Sequence, residues 1–343
     1  VSEEPAPHRR RPRYAGKNPR RFEEKYKERN PAKFPETIAK VTAAGKTPAG
    51  MHRPIMVEEI LALLDPRPGE IAVDCTLGYG GHAEAILRRL QPGGRLLGLD
   101  VDPLELPRTE ARLRALGFDE TSFVARRSNY AGLAKVLAAE GLAGANLILA
   151  DLGVSSMQID DPARGFSVKA DGPLDMRMNP ERGAPASALL SKVSAGELAE
   201  LLRENADEPH AEPLAAALAG RSFATTGALR EAIARVTTAR AAEERELTVR
   251  RVFQALRIAV NDEFAALEAF LRVLPECLAP GGRVAVLTFH SGEDRRVKKS
   301  FAEALRQGRY AEVASEVLRP GATERHQNPR SASAKLRWAR RGV

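Results

Sequence analysis

The nine residues Asp74-Cys75-Thr76-Leu77-Gly78-Tyr79-Gly80-Gly81-His82 bring an acid, three glycines and an imidazole into one short stretch. Glycines let a backbone pass close to a ligand where any Cβ would collide, and they suit the turn from a strand into a helix. The dinucleotide pattern G-x-G-x-x-G would place its third glycine at Ala83, which the relaxed pattern tolerates, so the loop alone says little. Asp100 adds to it: an acid closing a second strand accepts hydrogen bonds from ribose hydroxyls, which NAD and S-adenosylmethionine both carry. Two further acids favour the methyl donor. Asp74, ending the first strand beside the loop, suits a cationic amino-acid ligand better than a pyrophosphate. Asp151 closes a fourth strand, where a reacting amine would lie. An isolated Asp at such a place is usually a turn or cap residue, but three acids and a glycine loop at successive strand ends point to one site.

These side chains meet only if alternating strands and helices build a parallel sheet. Apolar residues at helical spacing from Pro54 to Leu64 predict a helix, ended by the turn Pro66 to Gly69. Strands follow over Ile71–Cys75, Arg95–Leu99 with Asp100 at its end, Phe123–Ala125 and Leu147–Ala150. Helices over Ala83–Leu90, Pro103–Leu116 and Leu133–Glu140 separate them. Residues 157–248 are Ala/Leu-rich and helical (Ala186–Leu190, Glu197–Leu202, Pro213–Leu218, Leu229–Val236), without a convincing strand. They predict a helical insertion into one sheet. The α/β pattern resumes with a helix from about Val252 to Leu274, the turn Ala279-Pro280-Gly281-Gly282 and a strand from Arg283 to Phe289. The expected division is a basic, disordered extension over 1–48, an α/β domain over 49–156 and 249–343, and a helical domain over 157–248.

Charge is uneven. Residues 1–50 hold 13 Lys and Arg against 6 Asp and Glu, and residues 319–343 hold 7 against 1, within a net charge of +8. Clustered cations supply sequence-independent affinity for phosphates, and Tyr14, Phe22, Tyr26 and Phe34 among the N-terminal charges could stack on unpaired bases. RNA is the favoured partner over a merely solvating tail. No apolar run nears the roughly 20 residues of a membrane span, and the first residues lead into arginines with no apolar core, unlike a secretory signal. Cytoplasm is the expected compartment. Cys75 and Cys277, the only cysteines, make neither a disulfide framework nor a metal site and read as core packing.

At Asp151-Leu152-Gly153-Val154-Ser155-Ser156-Met157-Gln158 the chain resembles the small-subunit ribosomal RNA methyltransferase H family. The resemblance extends from Met51-His52-Arg53-Pro54 to Asn328-Pro329-Arg330-Ser331 and Ala334-Lys335-Leu336-Arg337. It includes Arg164-Gly165-Phe166-Ser167, Gly172-Pro173-Leu174-Asp175-Met176-Arg177-Met178, Phe253-Gln254-Ala255-Leu256-Arg257-Ile258 and Phe289-His290-Ser291. It implies a class I, Rossmann-like methyltransferase sheet with an inserted helical domain that aids substrate recognition. It also implies S-adenosylmethionine as donor and, as substrate, the N4 amine of a cytosine in 16S rRNA of the small ribosomal subunit. Carried over by motif, the donor site would comprise Gly78, Gly80, Gly81 and His82 in the loop, Asp100 on the ribose, Tyr130 where the family usually has Phe, Asp151 and Gln158. The chain departs from the pattern at Gly292, where the family has Leu and glycine would add flexibility. It departs again at Asn205-Ala206-Asp207-Glu208-Pro209-His210, read as the tip of the insertion, and in its first 50 residues, which look like an addition.

The N4 lone pair is delocalised into the ring, so acceptors on the amine protons would have to localise it. Asp151 with the Ser155–Ser156 turn is the candidate set, and His290 the candidate later proton acceptor. The cytosine must also leave its stack. The segment Asp160 to Met178 could form a lid in which Arg164 and Arg177 hold phosphates, as could Arg257; salt bridges to Asp161, Asp171 or Asp175 are the structural alternative for the first two. The basic run Arg330 to Arg341, with Trp338, either extends an RNA surface or forms a last strand. Rival readings are a methyltransferase of another RNA site or of a protein, a nicotinamide oxidoreductase, and a non-catalytic RNA-assembly factor. The oligomeric state stays open, a homodimer included.

Overall fold

Short apolar runs with almost no charge, such as Ile-Ala-Val and Leu-Ile-Leu-Ala, suit strands buried on both faces. They form Ile71–Asp74 (β1), Arg95–Asp100 (β2), Phe123–Arg127 (β3) and Ala145–Asp151 (β4). Leu278–Thr288 (β5), Glu312–Val313 (β6) and Lys335–Arg340 (β7) complete one sheet in the order β3-β2-β1-β4-β5-β7-β6. Strands β1 to β5 are parallel, and β7 runs antiparallel between β5 and β6. This computed structural model describes residues 54–343; the expectations for residues 1–48, with Tyr14, Phe22, Tyr26 and Phe34, and for Met51 lie outside them.

Successive strand residues point to opposite faces, and the two faces have separate cores. Ala72, Leu96, Leu147 and Leu149 pack under Val57–Leu64 (α1) and Gly81–Leu90 (α2). Val73, Leu97, Leu99 and Ile148 pack with Leu133–Ala139 (α4), and both cysteines are buried in that same core. Between these helices in the chain lies Leu106–Ala115 (α3).

After β4 come Ser156–Asp160 (α5), Ala186–Lys192 (α6), Ala195–Ala206 (α7), Ala211–Leu218 (α8), Thr226–Val236 (α9) and Ala242–Val260 (α10). Their apolar residues build a third core running from Leu174 to Leu256. α10 crosses the boundary expected at residue 248 unbroken, and its Val252, Phe253 and Leu256 belong to that third core.

Four expectations need correction. The single helix from Val252 to Leu274 is two, α10 and Glu263–Cys277 (α11), parted at Asp262, whose φ of 50° is left-handed. Asn261 holds the break: its Nδ2 donates to the carbonyls of Met176 and Arg257, each at 2.8 Å, and its Oδ1 accepts Met178 N–H at 2.7 Å. The turn Ala279–Gly282 lies inside the β5 pairing instead of before it, as Ala145 pairs with Leu278 and Leu147 with Arg283. Finally, residues 205–210 form a joint to neighbouring helices, with Ala206 and Glu208 buried and Asp207 at the surface. Asp207 accepts Ser291 Oγ at 2.9 Å and Arg295 at 3.0 and 3.1 Å from Ser291–Arg306 (α12), while Glu208 is fully buried. Gly292 is likewise no hinge: a Cβ there would lie 2.6 Å from Phe264 Cζ, so the glycine makes room for the ring.

The basic C-terminal run is the last strand, with Arg337 pairing to Asp294 at 2.7 Å. Among the described residues no helix is long and apolar enough to cross a membrane.

Candidate active site

The turn from β1 into α2 is held from three sides. Thr76 Oγ1 accepts Asp151 N–H at 2.7 Å, which joins the ends of β1 and β4. Gly78 N–H donates to Asp100 Oδ2 at 2.8 Å, which joins the loop to β2. From α3, Thr109 Oγ1 donates to Gly78 O at 2.5 Å and Arg112 Nη2 to Tyr79 O at 2.8 Å, with the guanidinium 4.4 Å from the Tyr79 ring centroid. Gly80 sits at φ 79°, and a Cβ there would come within 2.8 Å of Thr109 Cγ2; both facts demand glycine. Gly80→Ala should therefore weaken donor binding at least tenfold while leaving the fold intact, as read by calorimetric titration beside circular dichroism.

Three carboxyls crowd this turn. Burial pushes Asp74 and Asp100 up to about 6, against the hydrogen bonds that each accepts, and Asp151 up to about 7 with help from the Glu293 charge. Asp151 still keeps 28% of its side chain exposed. Burial lowers the pKa of His82. Its Nε2 lies 2.9 Å from Ile55 O, which can only accept, so Nε2 carries the proton and Nδ1 faces Asp151 Oδ2 at 3.6 Å. Among the described residues no Lys or Arg ion-pairs with Asp74, Asp100 or Asp151, and no group of His, Cys, Asp and Glu is placed to hold a metal. A cation placed among these carboxyls would favour their ionised forms. The sulfonium and ammonium of S-adenosylmethionine are such cations, whereas the pyrophosphate of a nicotinamide cofactor would add to the repulsion.

A pH dependence follows. A cationic donor favours the ionised carboxyls, so its affinity should rise from pH 5 to pH 8 with proton release, measured by titration in buffers of different ionisation enthalpy. The neutral thioether product should show a shallower rise. Equal slopes would remove the sulfonium from this account.

The remaining candidates fall into place around this centre. Ser155 caps α5, its Oγ accepting Gln158 N–H at 3.2 Å while Gln158 Oε1 accepts Ser155 N–H at 2.9 Å. Gln158 Nε2 donates to Asp102 Oδ2 at 2.9 Å. Tyr130 packs edge-on against Phe270, centroids 5.5 Å apart, and its hydroxyl donates to Glu263 O at 3.3 Å. His290 caps α12: Nδ1 accepts Glu293 N–H at 3.4 Å, and the buried Nε2 stands 3.2 Å from Glu293 Oε1 without a well-directed hydrogen bond. Both ring nitrogens thus face Glu293.

The three nominated arginines are committed within the protein. Arg164 pairs with buried Asp102 at 2.7 Å, Arg177 grips Asp175 at 2.7 and 2.8 Å, and Arg257 grips buried Glu263 at 2.8 and 2.9 Å. Asp175 is one of the partners the sequence offers Arg177, whereas Asp102 and Glu263 lie outside the set offered. Asp102, Glu263 and Glu293 are the site's unanticipated residues. The spacing of His290 and Glu293, an N-cap followed three residues later by an acid, is a local signal for Glu293.

A parallel sheet closed by an antiparallel strand between its last two neighbours, with acids ringing the glycine turn at its carboxyl edge, defines a class I methyltransferase that uses S-adenosylmethionine. Comparison with known sequences agrees. The chain belongs to the MraW methylase family, which matches residues 49–342. A protein of Lachnoclostridium phytofermentans named ribosomal RNA small subunit methyltransferase H 1 is 50% identical over 341 residues, covering 97% of this chain and 93% of that one. Its namesake in Agathobacter rectalis is 46% identical over 341 residues, covering 97% of each chain. Ribosomal RNA small subunit methyltransferase H of Heliobacterium modesticaldum is 41% identical over 308 residues, 84% of this chain and 97% of its own. At 97% coverage the first two alignments take in most of residues 1–48, so that basic segment is an addition that some relatives share.

Proposed function

We propose that this methyltransferase modifies the N4 amine of one cytosine in 16S rRNA of the small ribosomal subunit, in the cytoplasm. The names of its relatives supply the substrate class, and the observation that supports the chemistry is Asp151, a partly exposed carboxyl at the end of β4 that is pushed up to about 7. Bound S-adenosylmethionine supplies an electrophilic methyl on a sulfonium. Gly78, Gly80, Gly81 and His82 would form the cradle, and Asp100, Tyr130 and Gln158 the nucleoside end. Ionised Asp151 accepts one amine proton, which localises the nitrogen lone pair along the line of attack. The same carboxylate would then take that proton from the methylated amine, and its pKa near neutrality suits both taking and releasing it. Ser155 holds the turn after β4 in register.

His290, with both nitrogens turned to Glu293, steadies the Phe289–Glu293 corner and leaves proton acceptance to Asp151. The helices between β4 and β5 act as the substrate-recognition domain. Arg164, Arg177 and Arg257 shape its contact with the sheet, and the clustered cations of residues 1–50 carry the phosphate affinity.

Transfer of labelled methyl from S-adenosylmethionine to small subunits lacking the modification, to naked 16S rRNA and to ribosomal proteins tests this, with Asp151→Ala alongside. Label at one cytosine N4, lost in the variant, supports the reading. Label on a protein or on another nucleotide returns the target to the rival methyltransferase readings.

A further inference from the structure

We propose that Asp102 is a positioning residue that couples donor binding to the order of the segment from Pro162 to Met178, through one unbroken chain of hydrogen bonds. The inference rests on the donor site described above, with Asp100 at its nucleoside end.

The chain starts at the glycine turn. Asp100 receives Gly78 N–H on Oδ2 at 2.8 Å and Asp102 N–H on Oδ1 at 2.9 Å, so a single carboxylate fixes both the cradle and the loop after β2. The Asp102 side chain, 1% exposed, is then saturated. Its Oδ1 takes the N–H groups of Leu104 and Glu105 at 2.9 and 3.3 Å, and its Oδ2 takes Gln158 Nε2 at 2.9 Å and Arg164 Nη1 at 2.7 Å. Arg164, 8% exposed, uses Nη2 to bind the carbonyls of Arg177 and Met178 at 3.1 and 2.8 Å, and its own carbonyl accepts Met176 N–H at 3.1 Å. One guanidinium therefore joins the two ends of the Pro162–Met178 excursion and ties both to the donor side of the sheet.

That excursion has little other freedom. A Cβ on Gly172 would lie 1.9 Å from Pro162 O, and one on Gly165 2.2 Å from Pro173 O, so its strands of backbone touch. Met176 is held at φ 64°, a conformation that non-glycine residues keep only when their surroundings enforce it. The enforcement comes from Arg164 on one side and Asn261 on the other. A buried guanidinium without its carboxylate would not stay there. Donor engagement at Asp100 firms up the first link, and by linkage the order of the segment must feed back on donor affinity by the same factor.

The test compares wild type, Asp102→Asn, Arg164→Lys and Asp100→Ala by titration with S-adenosylmethionine and by hydrogen exchange with and without it. Wild type should gain protection over residues 162–178 on binding. Asp102→Asn should lose that gain and bind the donor at least tenfold more weakly, while exchange in β1 and β4 stays as in wild type. Arg164→Lys keeps the charge but cannot span both carboxylate and carbonyls, so it should move both readouts in the same direction by less; it decides the matter alone should Asp102→Asn not fold. Wild-type affinity and wild-type donor-dependent protection in the folded variants would overturn the coupling. Asp100→Ala separates the two claims: full donor binding in that variant would remove the site on which the coupling is built, whereas its loss beside a wild-type Asp102→Asn would remove the coupling alone.

Discussion

Asp151→Asn should lower methyl transfer by about 10²–10⁴-fold, the usual worth of a positioned proton acceptor, and at the same time raise the melting temperature of the donor-free protein. The two effects share a cause. A carboxyl whose folded pKa lies near 7 contributes its stability below the unfolded value of about 4 and loses it as pH rises through 7. An amide has no such loss, so the variant's advantage should be small at pH 4 and grow to pH 8. Melting curves across that range, run without and with S-adenosylmethionine, check it. With donor bound the advantage should shrink or reverse, because the bound cation then favours the ionised carboxylate. A variant that loses stability at every pH would mean that Asp151 is held by contacts other than those described, and its catalytic assignment would fall with them. Activity bought at the cost of stability is common where function needs a strained charge.

Arg257→Met should cost roughly 3–5 kcal/mol of stability, since it strands the buried Glu263 carboxylate. Glu263 already titrates above its ordinary value, burial outweighing the Arg257 charge, and Glu293 lies close enough to push it further. Removing the guanidinium raises it again. The loss should therefore be largest near pH 8 and recover towards pH 5, where Glu263 takes up a proton in the fold. Denaturant titrations at the two pH values measure this. The same variant should leave the slope of RNA affinity against salt unchanged, because Arg257 is not a free cation. A slope smaller by about one unit, with stability untouched, would restore Arg257 to the RNA surface.

The glycine turn, the acids at the ends of β1, β2 and β4 and the helical stretch after β4 were legible because each is written locally, in residue type, period and spacing. What escaped was written across the chain. The parting of α10 from α11 carries no Gly or Pro at Asn261–Asp262, and the apolar period runs on through it; the break exists because Asn261 must reach Met176 and Met178. Arg164 reads as a phosphate ligand because its partner Asp102 is distant in sequence, although Asp100-Val101-Asp102 sets a second acid two residues from the first. Strand β6, with two residues, is too short for any period to show. The joint at residues 205–210 could not be told from a polar tip, as four of its six residues have polar or charged side chains and their partners lie on α10 and α12.

The pairing of β4 with β5 has a consequence for how the molecule comes into being. Asp151 sits beside Leu287, yet the whole helical insertion lies between them in the chain. The edge of β4 must therefore wait, unpaired, while all those residues are synthesised, and a long loop must close before the sheet can be joined. Helices that collapse on their own core shorten that loop by drawing its ends together. We expect the insertion to act as a folding staple as well as a surface, so that loosening its interior, for instance by Leu202→Ala, should slow refolding of the sheet to which Leu202 contributes no core contact.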